Sequence, residues 1–121
     1  MHPERDPVKI ASRIIKSFNS SLKAFIFDKN LVDTKIVDRL VSLSGYDGVL
    51  NRHAQGNIIV YYIDRRKLRR KCLYEKCIDE KLEERWKCIN SCMLTEEDRI
   101  IRDFSKSLID IARNLNINNT D

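Results

Sequence analysis

The chain has 121 residues, enough for one domain with a modest core. It is 42% hydrophobic and 34% charged with only 3 Gly and 2 Pro, which excludes collagen-like, low-complexity and disordered classes. The net charge of +5 is uneven: residues 65–94 hold 10 Lys/Arg against 5 Asp/Glu, whereas residues 95–121 hold 4 against 6.

A local basic excess says more about anionic partners than a uniform one. The polar start MHPERDP is followed by no apolar leader. The longest apolar run, Ile58 to Ile63, is far short of the roughly 20 residues of a membrane span. The expectation is a soluble, cytoplasmic (intracellular) protein with no membrane partner. Abundant Ile, Lys and Arg with short loops is a composition common in thermophiles.

Asp6-Pro7 is a helix start, because Asp can accept from the first turn and Pro fits the first helical position. Ile10, Ala11, Ile14, Ile15, Phe18 and Leu22 recur at helical spacing, which predicts a helix over about 7–21. Lys23 to Asp28 reads as a short buried strand. Asp33-Thr34 caps a second helix over about 34–44, and Gly45 suits the left-handed position past its end. Tyr46 to Arg52, a turn at residues 53–56, and Asn57 to Ile63 read as a β-hairpin. The unbroken apolar run of the second strand predicts a central strand covered on both faces.

The order α-β-α-β-β predicts an α+β protein: a small three-stranded sheet, then a C-terminal helical section with a long amphipathic helix. One domain is expected over residues 1–121, with an α/β part at 7–64 and a helical part at 65–116. Arg52 and His53 at the hairpin tip resemble the wing of winged-helix proteins, which is the alternative fold. Lys23 to Asp28 followed by Leu31 to Thr34 is superficially similar to the nucleophile motif of haloacid dehalogenase-type phosphatases. Lys29-Asn30 replaces the second Asp and the Gly-Thr of that motif, so no activity is carried over.

Cys72, Cys77, Cys88 and Cys92 read C-x4-C-x10-C-x3-C, nearly symmetric about residue 82. A turn there would face 72 with 92 and 77 with 88. This resembles the spacing of stapled helical-hairpin proteins such as the twin C-x9-C and α-hairpinin families, over about 21 residues, and it implies no function. The competing geometry is one helix from about 66 to 93. At about 100° per residue, Leu68, Ile78, Leu82, Trp86, Ile89 and Met93 then form one stripe. Residues 80–84 are good helix formers, so the continuous helix is the favoured expectation. In that geometry an antiparallel homodimer would bring Cys77 near Cys88 of a second copy. Disulfides, free thiols and a metal site all remain open for the four cysteines, the x4 spacing being poor for zinc. Thr95-Glu96-Glu97-Asp98 opens a further helix with the stripe Ile101, Phe104, Leu108, Ile111 and Leu115, and residues 117–121 should fray.

Arg65, Arg66, Lys67, Arg69, Arg70 and Lys71 place six cations in seven residues. Such a run can neutralise phosphates and release counterions. With Arg52 it is the candidate contact surface for DNA or RNA, and Tyr61 and Tyr62 just before it are candidates for stacking on bases. The expected function is a non-catalytic nucleic acid-binding or nucleoprotein accessory protein with no cofactor. A protein-interaction subunit using the apolar stripes, as a homodimer or within a larger complex, is the alternative. A metal-dependent nuclease built on Asp28, Asp47 and Asp64 is the second alternative. With only His2 and His53 present, no Ser-His or Cys-His nucleophile pair is suggested.

Overall fold

The structure, a computed structural model, describes residues 2–118. It is α+β, with a four-stranded antiparallel sheet and a long C-terminal helix. Helix α1 (Pro7–Lys16) starts as expected, the Asp6 carboxylate accepting from the Val8 amide at 3.0 Å. It is shorter than predicted. The Ser17 hydroxyl donates to the Ile14 carbonyl, and Phe18–Asn19 leaves the helix as a two-residue strand, β1. The reason is Phe25, opposite Phe18 in register, with ring centroids 5.0 Å apart. The Asn19 side chain then accepts from the Leu22 amide and turns the chain into β2 (Ala24–Asp28).

After a 3-10 turn at Lys29–Leu31, helix α2 (Thr34–Ser44) runs from the Asp33 cap to Gly45 at φ 81°. Strands β3 (Leu50–Gln55) and β4 (Ile58–Ile63) form the hairpin. Its turn lies two residues later than predicted, at Gly56-Asn57, with Gly56 at φ 58°. A two-residue turn matches the strand twist better than a longer one, so residues 53–55 join the strand. Arg52 and His53 therefore lie within β3 and not at a tip. Between β2 and β3 there is one α-helix and one 3-10 turn, so the paired helices of a winged-helix domain do not form there.

The sheet order is β1-β2-β4-β3, every pair antiparallel. β4 is central, but only one of its faces is covered. Ile59, Tyr61 and Ile63 are buried against the helices, while Ile58 and Tyr62 are exposed and Val60 is half-buried. The core cluster draws on all four helices and on β2, β3 and β4. At its centre Phe104 meets Phe25 edge-on at 5.3 Å.

The helical section departs most from expectation. Helix α3 (Arg65–Cys72) continues through a π-turn at Leu73–Cys77, and the chain reverses over residues 78–81. A single helix, α4 (Leu82–Asn118), returns along α3 and crosses the body. Three interactions overrule the helix propensity of residues 80–84. Arg85 Nη2 donates to the carbonyls of Ile78 (3.1 Å) and Glu80 (3.2 Å), satisfying acceptors that a helix end leaves unpaired. The Glu80 amide donates to the Cys77 carbonyl at 3.2 Å. Two disulfides bind the limbs together.

Thr95 to Asp98 is consequently mid-helix, and the Thr95 hydroxyl donates back to the Ser91 carbonyl instead of capping. The buried stripe of α4 is Ile100, Phe104, Leu108 and Ala112, with Ile101, Ile111 and Leu115 packed at its margins. Helix α4 extends through residues 117–118, where fraying was expected, and residues 119–121 lie outside the described residues.

Candidate nucleic-acid interface

The basic segment begins where β4 ends. The Asp64 carboxylate accepts from the amides of Arg66 (3.0 Å) and Lys67 (3.2 Å) and so caps α3. The Lys67 amide, chiefly, holds the Asp64 carboxyl below the usual carboxylate range, with the Asn51 side chain and the Arg66 amide adding to it. Leu68, only 1% exposed, and Cys72 fix the inward side of the helix. Taking Leu68 as zero, Arg69, Arg66, Arg70 and Lys67 fall at about 100°, 160°, 200° and 260°. These four are exposed, and Lys71, at about 300°, is half-buried. Arg65 lies at about 60°, nearer the core. It reaches the nearly buried Glu97 of α4, Nε at 3.1 Å and Nη2 at 3.0 Å from Oε1.

Among the described residues, Arg66, Lys67, Arg69, Arg70 and Lys71 form no ion pair. Asp64 accepts from backbone amides, and Glu75, the next acid along the chain, pairs with none of these cations among the described residues. Glu96 is buried and is held by Lys76 (3.2 Å) and Arg99. The hydrogen bond from Arg99, followed by that from Lys76, keeps the Glu96 carboxyl below its ordinary value against the opposing effect of burial. The outward face of α3 is therefore a patch of uncompensated positive charge.

The two tyrosines separate. Tyr61 is 3% exposed, stacks at 6.1 Å on Phe27, and donates its hydroxyl to Asp38 Oδ1 at 3.1 Å. Burial first, and the Asp38 charge second, push its phenol up to about 12. Arg52, opposite Tyr61 in register, sits 3.4 Å from the same Asp38 oxygen. It thus belongs to a network on the helix-covered side of the sheet and does not join the α3 patch. Tyr62 points to the open side and is 39% exposed. It stands between two depressions. One, about 410 Å³, is lined by Asn51, Tyr62, Ile63, Asp64, Arg65 and Arg66. The other, about 380 Å³, runs past Lys23, Leu22 and Arg65. Sequence reading named Tyr62 as a stacking candidate but missed that it shares an open face with Val60 and Ile58, because IIVYYI hides a period-two burial pattern inside an all-apolar run.

The cysteines are Cys72–Cys92 and Cys77–Cys88, with Cα separations of 5.9 and 5.8 Å. Among the described residues none is free. The favoured continuous helix, and with it a Cys77–Cys88 bond between two copies, is replaced by an intrachain staple. The uneven spacing is resolved by the π-turn. In an α-helix, residues five apart diverge by about 140° and those four apart by only about 40°. A π-turn, bonded i to i+5, brings Cys77 back above Cys72 and matches it to the x3 limb.

The proposed metal carboxylates are not brought together. Asp28 pairs with Ile58 at one end of β4 and accepts from the Asn30 amide, whereas Asp64 follows the other end. Six residues of strand separate them by about 20 Å. Among the described residues no group of three or more His, Cys, Asp or Glu converges on a metal position. No helix among them is long and apolar enough to cross a membrane.

The apolar stripe proposed for the continuous helix divides at the hairpin. Leu68, Ile89 and Met93 are buried, while Leu82 (73% exposed), Trp86 (60%) and Ile78 stay exposed near the turn. Comparison with protein-family models, with curated proteins and with solved structures finds no match.

Proposed function

We propose that this chain is a non-catalytic nucleic acid-binding or nucleoprotein accessory protein. The observation that carries the reading is the outward arc of Arg66, Lys67, Arg69 and Arg70, all exposed and, among the described residues, in no ion pair. Four cations on one face neutralise phosphates with little further ordering of the backbone, because the helix is already capped by Asp64 and stapled to α4. Binding of this kind is electrostatic and weakly sequence-specific. Arg65 contributes less than its neighbours, since Glu97 shares its charge. The test is a charge reversal, Arg66→Glu with Arg70→Glu. It abolishes binding of a labelled oligonucleotide, while Arg102→Glu with Lys106→Glu, on exposed positions of α4, leaves it nearly intact. Equal loss in both variants would mean that net charge, and not this surface, is responsible.

A protein partner is the second reading, favoured by the exposure of Leu82 and Trp86 near the hairpin turn. Light scattering tests its simplest form. A dimer that Trp86→Ala dissolves supports it, and a monomer at all concentrations removes homo-association. The reading also keeps the protein intracellular. Stable disulfides inside cells are characteristic of hyperthermophiles, so thiol trapping before lysis of the native host should find all four cysteines blocked.

A further inference from the structure

We infer that the ligand of this interface is a single strand, its bases laid against Tyr62 and the open face of the sheet while α3 holds its phosphates. The inference rests on the nucleic acid reading above and adds which form of nucleic acid is taken.

The open face is defined by register. Tyr62 lies between Ala24 and Asn51, Val60 between Ile26 and His53, and Ile58 between Asp28 and Gln55. Apart from Ala24, all are exposed or half-buried. An aromatic ring beside Val60, Ile58 and Ile26 is an apolar platform with a π-face. In a duplex the base faces are hidden in the stack and only edges are offered. A platform of this kind is therefore useful only to unstacked bases.

Placement joins this platform to the cations. One depression runs from Asn51 and Tyr62 to Arg65 and Arg66, so a strand whose base meets Tyr62 carries its phosphate to the start of α3. Two carboxylates lie nearby: Asp64 keeps its charge while accepting from two backbone amides, and Glu97 is nearly buried and paired with Arg65, so the four exposed cations of α3 outnumber them.

The test uses fluorescein-labelled oligothymidylate and oligouridylate of about twelve nucleotides, within the range of single-strand sites. A duplex of the same length is the comparison, read by anisotropy at one salt concentration. The single strand binds more tightly than the duplex. Tyr62→Ala weakens single-strand binding by about 5- to 150-fold, the worth of one stacked base, leaves duplex binding unchanged and does not alter the salt slope. Tyr62→Phe restores the wild-type value. Tyr62 is exposed, so melting temperatures should agree within a few degrees and exclude misfolding. Tighter duplex binding, or equal effects of Tyr62→Ala on both forms, overturns the single-strand inference and leaves the electrostatic reading standing. Absence of binding to every probe overturns both.

Discussion

Opening the staples is the perturbation whose size follows most directly from the connectivity. Cys77–Cys88 closes a loop of about 11 residues, and the chain-entropy relation gives it about 2.8 kcal/mol. Cys72–Cys92 spans 20 residues, but with the inner bond in place it closes only about ten more, worth about 2.7 kcal/mol. An entropy of unfolding near 2.1 cal/mol/K per residue gives about 250 cal/mol/K for 121 residues, so each kcal/mol lowers Tm by about 4 °C. Loss of either bond should lower Tm by about 11 °C and loss of both by about 20 °C. Thermal circular dichroism of oxidised and reduced protein measures this without removing sulfur atoms from the core. Thiol titration of the pair variants checks the connectivity. Cys72→Ala with Cys92→Ala retains a bond. Cys72→Ala with Cys88→Ala leaves Cys77 and Cys92, about 8 Å apart after a 6 Å offset along the hairpin, as free thiols. A Tm unaffected by reductant, or a bond between Cys77 and Cys92, would refute the stapled hairpin.

Two further expectations concern titrating groups. Tyr61 has its phenol raised to about 12 against 10 in the unfolded chain. The stability it confers is whole below pH 10 and is lost as pH rises toward 12, which unfolding followed by phenolate absorbance should show. Tyr61→Phe should remove that dependence at a cost of about 1 kcal/mol in the hydrogen bond to Asp38. Glu96 has its carboxyl lowered, so its contribution is present above about pH 4.5 and is lost as pH falls below it. Glu96→Gln should flatten the acid limb of the stability profile, and an unchanged acid limb would show that Lys76 and Arg99 do not rely on it.

Much of the α/β part was legible because its signals are local. Asp33 and Gly45 bound α2 where observed, and Asp6-Pro7 begins α1. What escaped depends on residues distant in sequence. Phe18 continues the helical period of Ile14, yet its contact with Phe25 draws it into a strand. Ile58 to Ile63 is apolar throughout, so no alternation betrayed that Tyr62 faces outward. The hairpin turn carries no Gly or Pro, and its closure depends on Arg85 and on two covalent bonds. The cysteine symmetry offered the observed pairing only as the less favoured alternative to a continuous helix, and the mismatch between x4 and x3 became intelligible only with the π-turn. The basic run was visible at once. Which of its cations are free was not, because that depends on Leu68 facing inward and on Glu97 lying across from Arg65.

The central claim is that the α3 arc binds nucleic acid phosphates, and its most direct measure is the salt dependence of single-strand affinity. Four contacts from Arg66, Lys67, Arg69 and Arg70 predict a slope of log K against log salt of about −2.8, or about fiftyfold weaker binding at 200 mM than at 50 mM. Removing two of the four cations should halve that slope. An affinity that does not change over this range, or a slope unaltered by Arg66→Gln with Arg70→Gln, would contradict the account.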